Sequence, residues 1–417
     1  MKIRQHQGRR EFLRFAIGAS FCSPLLASAD GETVPEGHGV RLQAVARAHP
    51  GNMKITDLQA YAVKRAIFVK VAAEDGTTGW GEAGHSGGLL VAQLVNREIA
   101  PLLKGWNIFD GDPAWSRMYF QVDELGPSGL AAQAIAGVDC ALWDLRGKLL
   151  GLPVWKLLGG SYRRQIPLYG SFSRAKGENE YMTSTECARQ AASLVEEGFR
   201  AIKVRLGIRE ENVDPSPDPA IPVVREIRSA VGDAIALFVD ANNGYTPSQA
   251  IRVGKALSET YGVSLFEEPV AAYQYPSLAK VADALDIPVA AGEHEYSKWQ
   301  FRDLILEGNV DVLNPDVSKL AGLTEAMKVS ALADTFDLPI SVHNARPTLL
   351  TAAHLHFVCA SRMAKGYHEH PGSKRLAELW QFFENPLDVK NGVATVPEAP
   401  GLGLIPRESE IRKAALS

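Results

Sequence analysis

An α/β architecture, a modified TIM-type (β/α)-barrel behind an N-terminal α+β capping domain, is predicted by three features of this 417-residue sequence. Short β-like runs alternate with helical stretches over roughly 200 residues, close to the ~30 residues per unit of an eight-unit barrel. Five consecutive runs lead directly into Asp, Glu or His, at positions 23–27 residues apart. Ahead of them lies a different pattern, three strand-like segments followed by helical ones.

The N-terminus reads as a targeting segment. Gly8-Arg9-Arg10-Glu11-Phe12-Leu13-Arg14 resembles a twin-arginine export motif. A mildly apolar stretch from Phe15 to Leu26 and the small residues Ala27-Ser28-Ala29 follow. Residues 1–29 are therefore expected to be a signal peptide, and the protein periplasmic or otherwise exported. The apolar stretch is too short for a permanent span, so the mature protein should have none. Residues 30–52 read as a linker.

The capping domain is expected over 53–164. Ile55–Val63, Ala66–Ala73 and Thr77–Glu82 look like strands, with Glu74-Asp75-Gly76 as a turn. Helical patterns cover Gly88–Leu103 and Ser128–Leu150. The barrel is expected over 165–375. Its strands are Ile166–Ser171, Ala201–Arg205, Ala236–Asp240, Ser264–Glu267, Val289–Ala291, Val312–Asn314, Ile340–Val342 and Gly366–Glu369. Residues 376–417 should pack back on the capping domain. A doubly wound open sheet is disfavoured, because no Gly-rich phosphate loop follows the first strand.

Composition narrows the partners. There are 44 basic and 48 acidic residues, a formal net charge of −4, which gives no electrostatic reason to expect nucleic acid. Cys22, Cys140, Cys187 and Cys359 show no CxxC spacing, so neither a disulfide framework nor a zinc site is suggested. The partner expected is a small carboxylate, and the assembly expected is a homo-oligomer.

Asp240, Glu267, Glu293, Asp316 and His343 fall at or just past the ends of successive strands. In a barrel these positions meet at the C-terminal mouth. Three neighbouring carboxylates, Asp240, Glu267 and Glu293, would repel unless a cation joined them, and an all-oxygen set suits Mg²⁺. Glu268 should point away if Glu267 points in. An Asp beside a His fixes its tautomer and raises its basicity. Lys203 and Arg205 stand at i and i+2, so they share one side of their strand.

The sequence also resembles the enolase superfamily, in its mandelate racemase/muconate lactonizing enzyme branch, over residues 54–408. The resemblance rests on Ala141-Leu142-Trp143-Asp144-Leu145-Arg146-Gly147-Lys148, Leu157-Leu158-Gly159-Gly160, Lys203-Val204-Arg205, Val239-Asp240-Ala241-Asn242, Glu267-Glu268-Pro269, Gly292-Glu293, Asn314-Pro315-Asp316 and Pro400-Gly401-Leu402-Gly403. It implies that Asp240, Glu267 and Glu293 ligate Mg²⁺. It implies that His343 is the base, with Asp316 its partner, in removing the proton α to a carboxylate through an enediolate. Lys203 and Glu369 match residues that contact the substrate carboxylate. Arg205 departs from the family's Lys-x-Lys; arginine is a poor proton acceptor. Gly292-Glu293-His294-Glu295 is similar to some sugar-acid dehydratases. Gly81–Gly88 occupies the place of the family's mobile specificity loop, where His85 could touch substrate. Asn242 and Arg346 are further candidates for substrate contact. Dehydration of a sugar acid to a 2-keto-3-deoxy acid is the leading expectation. The alternatives are a racemase, epimerase or cycloisomerase, and a non-catalytic binder of acid sugars.

Overall fold

The computed structural model describes residues 50–84, 87–177, 180–372 and 376–416. The expected export segment, most of the expected linker and His85 lie outside the described residues. Among the described residues, no helix is long and apolar enough to cross a membrane.

The capping sheet is antiparallel, β1 (Ile55–Val63), β2 (Ala66–Ala73) and β3 (Thr78–Glu82) in that order. Its tight β1–β2 turn puts Arg65 at φ 71°, and its second turn puts Gly76 at φ 84°. The helices α1 (Gly88–Leu94), α2 (Ala100–Leu103) and α3 (Gly111–Gln121) follow, with a π-helical turn over Val95–Ile99. Then α4 (Leu130–Leu150) lies across β3. The approach is too close for side chains. A Cβ on Gly79 would sit 2.2 Å from the Ala141 carbonyl, and one on Gly81 equally close to that of Gly137.

After α5 (Val154–Leu157) the barrel begins with β4 (Gln165–Ser173) and a small hairpin, β5 (Ala175–Gly177) and β6 (Glu180–Tyr181). Next come α6 (Ser184–Glu196), β7 (Ala201–Arg205), α7 (Ala220–Val231), β8 (Ala236–Asp240), α8 (Pro247–Tyr261), β9 (Val263–Glu267), α9 (Tyr275–Ala282), β10 (Val289–Ala291), α10 (Lys298–Gly308), β11 (Val312–Leu313), α11 (Leu323–Thr335), α12 (Leu349–Ala360) and β12 (His368–His370). Strands β4, β7, β8, β9, β10 and β11 pair in parallel in that order, and β12 pairs with β4. Apolar side chains such as Ile202, Val204, Leu237, Val239 and Phe266 fill the layers around them.

One expected strand is reduced. Residues 340–342 make a single parallel bridge, Leu313 to Ile340. The cause is Pro315, which has no N–H to continue the ladder from β11. Three backbone bonds still thread this segment into the wall: Ser341 N–H to Leu313, His343 N–H to Pro315, and Glu369 N–H to Val342.

The C-terminal segment serves both units. Strand β14 (Val393–Thr395), reached through β13 (Val389–Lys390), adds antiparallel to β4. Helix α13 (Glu408–Ala414) meets the capping sheet, where Glu408 pairs with Lys70 at 2.8 Å. Buried Asp144 ties three parts of the chain together. It accepts from Trp80 N at 2.8 Å, Leu402 N at 2.6 Å and Lys148 Nζ at 2.6 Å. Replacing it by Ala strands these donors, so Asp144→Ala should cost about 3 kcal/mol or more in urea denaturation. A loss under about 1 kcal/mol would show that water replaces the carboxylate.

Cys140, Cys187 and Cys359 are free and buried.

Candidate active site

Strand register sets the site. Arg205 pairs with Asp240, and Asp240 with Glu267, so the ends of β7, β8 and β9 lie level. Lys203, one pleat below Arg205, is wholly buried. Its ammonium is 2.6 Å from Glu267 and 3.4 Å from Glu369. Burial alone would lower its pKa, but these carboxylates outweigh burial and hold it well above the usual lysine value. Arg205 Nε lies 3.6 Å from Asp240.

The carboxylates crowd one another. Burial, with Glu268 and Glu293 nearby, pushes Asp240 up to about 6. Burial likewise pushes Glu267 well up, helped by Asp240 and Glu369, and its Oε2 is buried with no hydrogen-bond partner. Asp240 accepts from Asn242 N at 2.7 Å and Asn242 Nδ2 at 2.9 Å. Glu293 behaves oppositely. Burial opposes its ionisation, but His343, Lys319 and His294 outweigh it and hold the carboxyl well below the usual range.

Glu268 corrects the expectation that it points away. The strand ends at Glu267, and Glu268 takes φ 43°. Strand alternation no longer applies in that left-handed turn. Its carboxylate lies 3.4 Å from His294 Nε2. Ligand atoms of Glu268, Glu293 and His294 all fall within 4.8 Å of one another. Burial works against the His294 imidazolium, but Glu268 outweighs it and raises the ring's pKa to about 9.

His343 Nδ1 is 2.7 Å from Asp316 Oδ2. The other oxygen of Asp316 accepts from Ser318 N at 2.8 Å and Ser318 Oγ at 2.7 Å. Although burial opposes ionisation, the bond to His343 dominates the opposing effects and keeps Asp316 well below the usual range. A carboxylate only accepts, so Nδ1 carries the proton and Nε2 presents the lone pair in the neutral ring. Nε2 faces Glu293 at 3.1 Å and Glu369 at 3.8 Å. Burial disfavours the Glu369 carboxylate, but Lys203 and His343 hold it at about 2.

A cavity of about 410 Å³ opens over this centre, lined by Arg205, Asn242, Glu293 and His294 among others. Gln133 of α4 brings the capping domain to its rim. Arg346 is not on this lining. It is buried, and its charge acts on Glu82 at the cap–barrel contact, where Glu82 accepts from Thr348 Oγ1 and Leu350 N at the start of α12. Among the lining residues that the sequence does not single out are two basic ones, Lys319 and Arg209. Lys319 Nζ is 3.0 Å from Glu293. It lies three residues past Asp316, in a loop where no periodicity assigns a side.

The donor chemistry suits a hard divalent cation, although among the described residues the ligand atoms gathered within 4.8 Å of one another are those of Glu268, Glu293 and His294, and the expected trio of Asp240, Glu267 and Glu293 is not drawn together as closely. The donors at the three strand ends are all oxygens, two of the carboxyls are pushed up by burial and their neighbours, and Glu267 Oε2 has no partner.

Known proteins resemble this chain along most of its length. Residues 38–159 match the mandelate racemase/muconate lactonizing enzyme N-terminal domain, and residues 186–410 match the enolase C-terminal domain-like family. D-galactarolactone cycloisomerase of Agrobacterium fabrum is 31% identical over 372 residues, 84% of this chain and 90% of that protein. D-galactonate dehydratase of Ralstonia pickettii is 32% identical over 364 residues, 84% of this chain and 92% of that one. A mandelate racemase/muconate lactonizing protein of Paracoccus denitrificans, solved in complex with magnesium, superposes with a TM-score of 0.81 at 36% identity, covering 87% of this chain and 98% of its own. The cap, the barrel and the sequence matches together place this chain in the mandelate racemase/muconate lactonizing enzyme family of the enolase superfamily.

Proposed function

We propose that the protein is a Mg²⁺-dependent dehydratase of a sugar acid, with His343 as the base that removes the α-proton. The observation that carries this is the buried His343–Asp316 pair, whose Nε2 faces the same space as Glu293 and Glu369. Asp240, Glu267 and Glu293 would hold Mg²⁺, which when bound offsets the negative charge that builds on the substrate carboxylate as the proton leaves. Lys203 and Glu369 bind and orient that carboxylate end. His343 Nε2 takes the α-proton. As the α C–H bond breaks, its electrons form a C=C bond and the β C–O bond breaks. The imidazolium returns its proton to the departing hydroxyl, which leaves as water. The enol then tautomerises to the 2-keto-3-deoxy acid.

Elimination is favoured over racemisation by the second position of Lys-x-Arg. Racemisation needs a proton-cycling group on each face of the α-carbon. Arg205 stays protonated: burial works against its charge, but the negative charges of Asp240, Glu293 and Glu369 outweigh burial and push its pKa up. A cycloisomerase is the second reading, supported by the name of the Agrobacterium relative. A non-catalytic binder has no use for the His–Asp pair. The experiment is a screen of acid sugars with Mg²⁺, read by mass. A product lighter by one water is expected. A product of unchanged mass would favour the cycloisomerase.

A further inference from the structure

We infer that the substrate of this site is a diacid, its second carboxylate held at the rim of the cavity by Arg209. The inference rests on the reading above for the reacting carboxylate, which lies at Lys203 and Glu369. The cavity wall is mostly polar. Asn242, Asn243 and Tyr296 offer amide and phenol groups of the kind that bond sugar hydroxyls. Arg205, Arg209, Lys319 and His294 then face the same space, against the acids Glu211 and Glu293. Lys319 and His294 both lie close to Glu293, and Arg205 to Asp240. Arg209 differs, for no carboxylate among the described side chains forms an ion pair with it. A planar guanidinium in a polar cavity is suited to a carboxylate, which it can bind with two parallel hydrogen bonds.

The placement of Arg209 is enforced by its surroundings. Its backbone stands at φ 85°, ψ 160°, a conformation rarely adopted by residues with a Cβ. Neighbouring loops hold it there. Gly207 N donates to Asn242 Oδ1 at 3.2 Å, and Asp214 N to the Gly244 carbonyl at 3.0 Å. Thr246 N and Oγ1 donate to Asp214, and Tyr245 OH to Asp218 at 2.9 Å. Gly244 packs so closely on Ile208 that a Cβ would come within 2.2 Å. The loop after β7 is thus pinned to the loop after β8, which holds the Arg209 backbone at the rim while its side chain is exposed. The cavity's size falls within the ~300–1,000 Å³ range of small-molecule sites.

The test is binding, read by calorimetry on the full chain carrying His343→Asn, with Mg²⁺ present and turnover blocked. The probes are six-carbon aldarates, each compared with the aldonate of the same configuration. At least one aldarate should bind ten or more times tighter than its aldonate. Adding Arg209→Met should weaken that aldarate about 10–100-fold, the worth of a charge-assisted pair, and the aldonate far less. Arg209→Lys should recover part of the difference. Equal affinity for the two classes, equal loss for both in Arg209→Met, or binding of neither overturns the inference. Turnover is not read here. A wild-type enzyme that exchanges no α-proton would instead overturn the preceding reading.

Discussion

His343→Asn should lose exchange of the substrate's α-proton with solvent while keeping fold, metal and substrate binding. Loss of a general base costs about 10²–10⁴-fold, and loss of a sole base can cost more. The geometry explains why the damage should be confined to chemistry. Without the imidazole, Asp316 keeps its two bonds from Ser318, so the loop holding it remains anchored. Glu293 keeps Lys319 at 3.0 Å. Asp316→Asn tests the same dyad from behind. An amide can donate to Nδ1, which moves the ring proton onto Nε2 and removes the lone pair that takes the α-proton. Its loss should also fall near 10²–10⁴-fold, with KM little changed. The measurement is proton NMR of substrate in heavy water. Undiminished exchange in His343→Asn would show that another group is the base, and Lys203 would then be the residue to replace.

What the sequence makes readable follows from where periodicity holds. Strand ends are legible because alternation and even spacing both act there, so Asp240, Glu267 and the Lys203–Arg205 pair fall on one wall in register. One residue further the rule fails, as Glu268 shows by turning back towards His294 at φ 43°. Lys319 and Arg209 lie several residues beyond a strand, where only the folded loop decides direction. Spacing cannot place Arg346 for the same reason, and its loop brings its charge to bear on Glu82. Helix α3 is hard to read although Trp115, Met118 and Tyr119 have helical spacing. Its opening Gly111-Asp112-Pro113 reads as a turn, yet proline is tolerated in a first helical turn. The seventh expected strand shrinks to a single bridge because Pro315, on its neighbour, limits pairing across the gap.

Chelation should abolish turnover, and Mg²⁺ should restore it. Asp240, at about 6, and Glu267, pushed well up, are carboxyls whose burial makes the charged form costly. A divalent cation reverses that cost only by taking them deprotonated. Affinity for Mg²⁺ should therefore depend on pH. The raised native value of Asp240 means that the ion must displace a proton at pH below about 6. Binding should weaken there by about tenfold per pH unit for each proton displaced, and Glu267, also pushed well up, adds its own proton to that dependence. The same linkage gives a readout that needs no substrate. An ion present at 100 times its Kd stabilises the folded state by about 2.7 kcal/mol, which raises Tm. Glu267→Gln should remove most of that rise. The amide keeps the shape and can still accept from Lys203, while Glu369 at 3.4 Å remains as counter-charge, so the barrel should stay folded. Calorimetric scans with and without Mg²⁺ decide the matter. Full turnover in chelated enzyme, or an unchanged Mg²⁺-dependent rise in Glu267→Gln, would remove these carboxylates from the metal site.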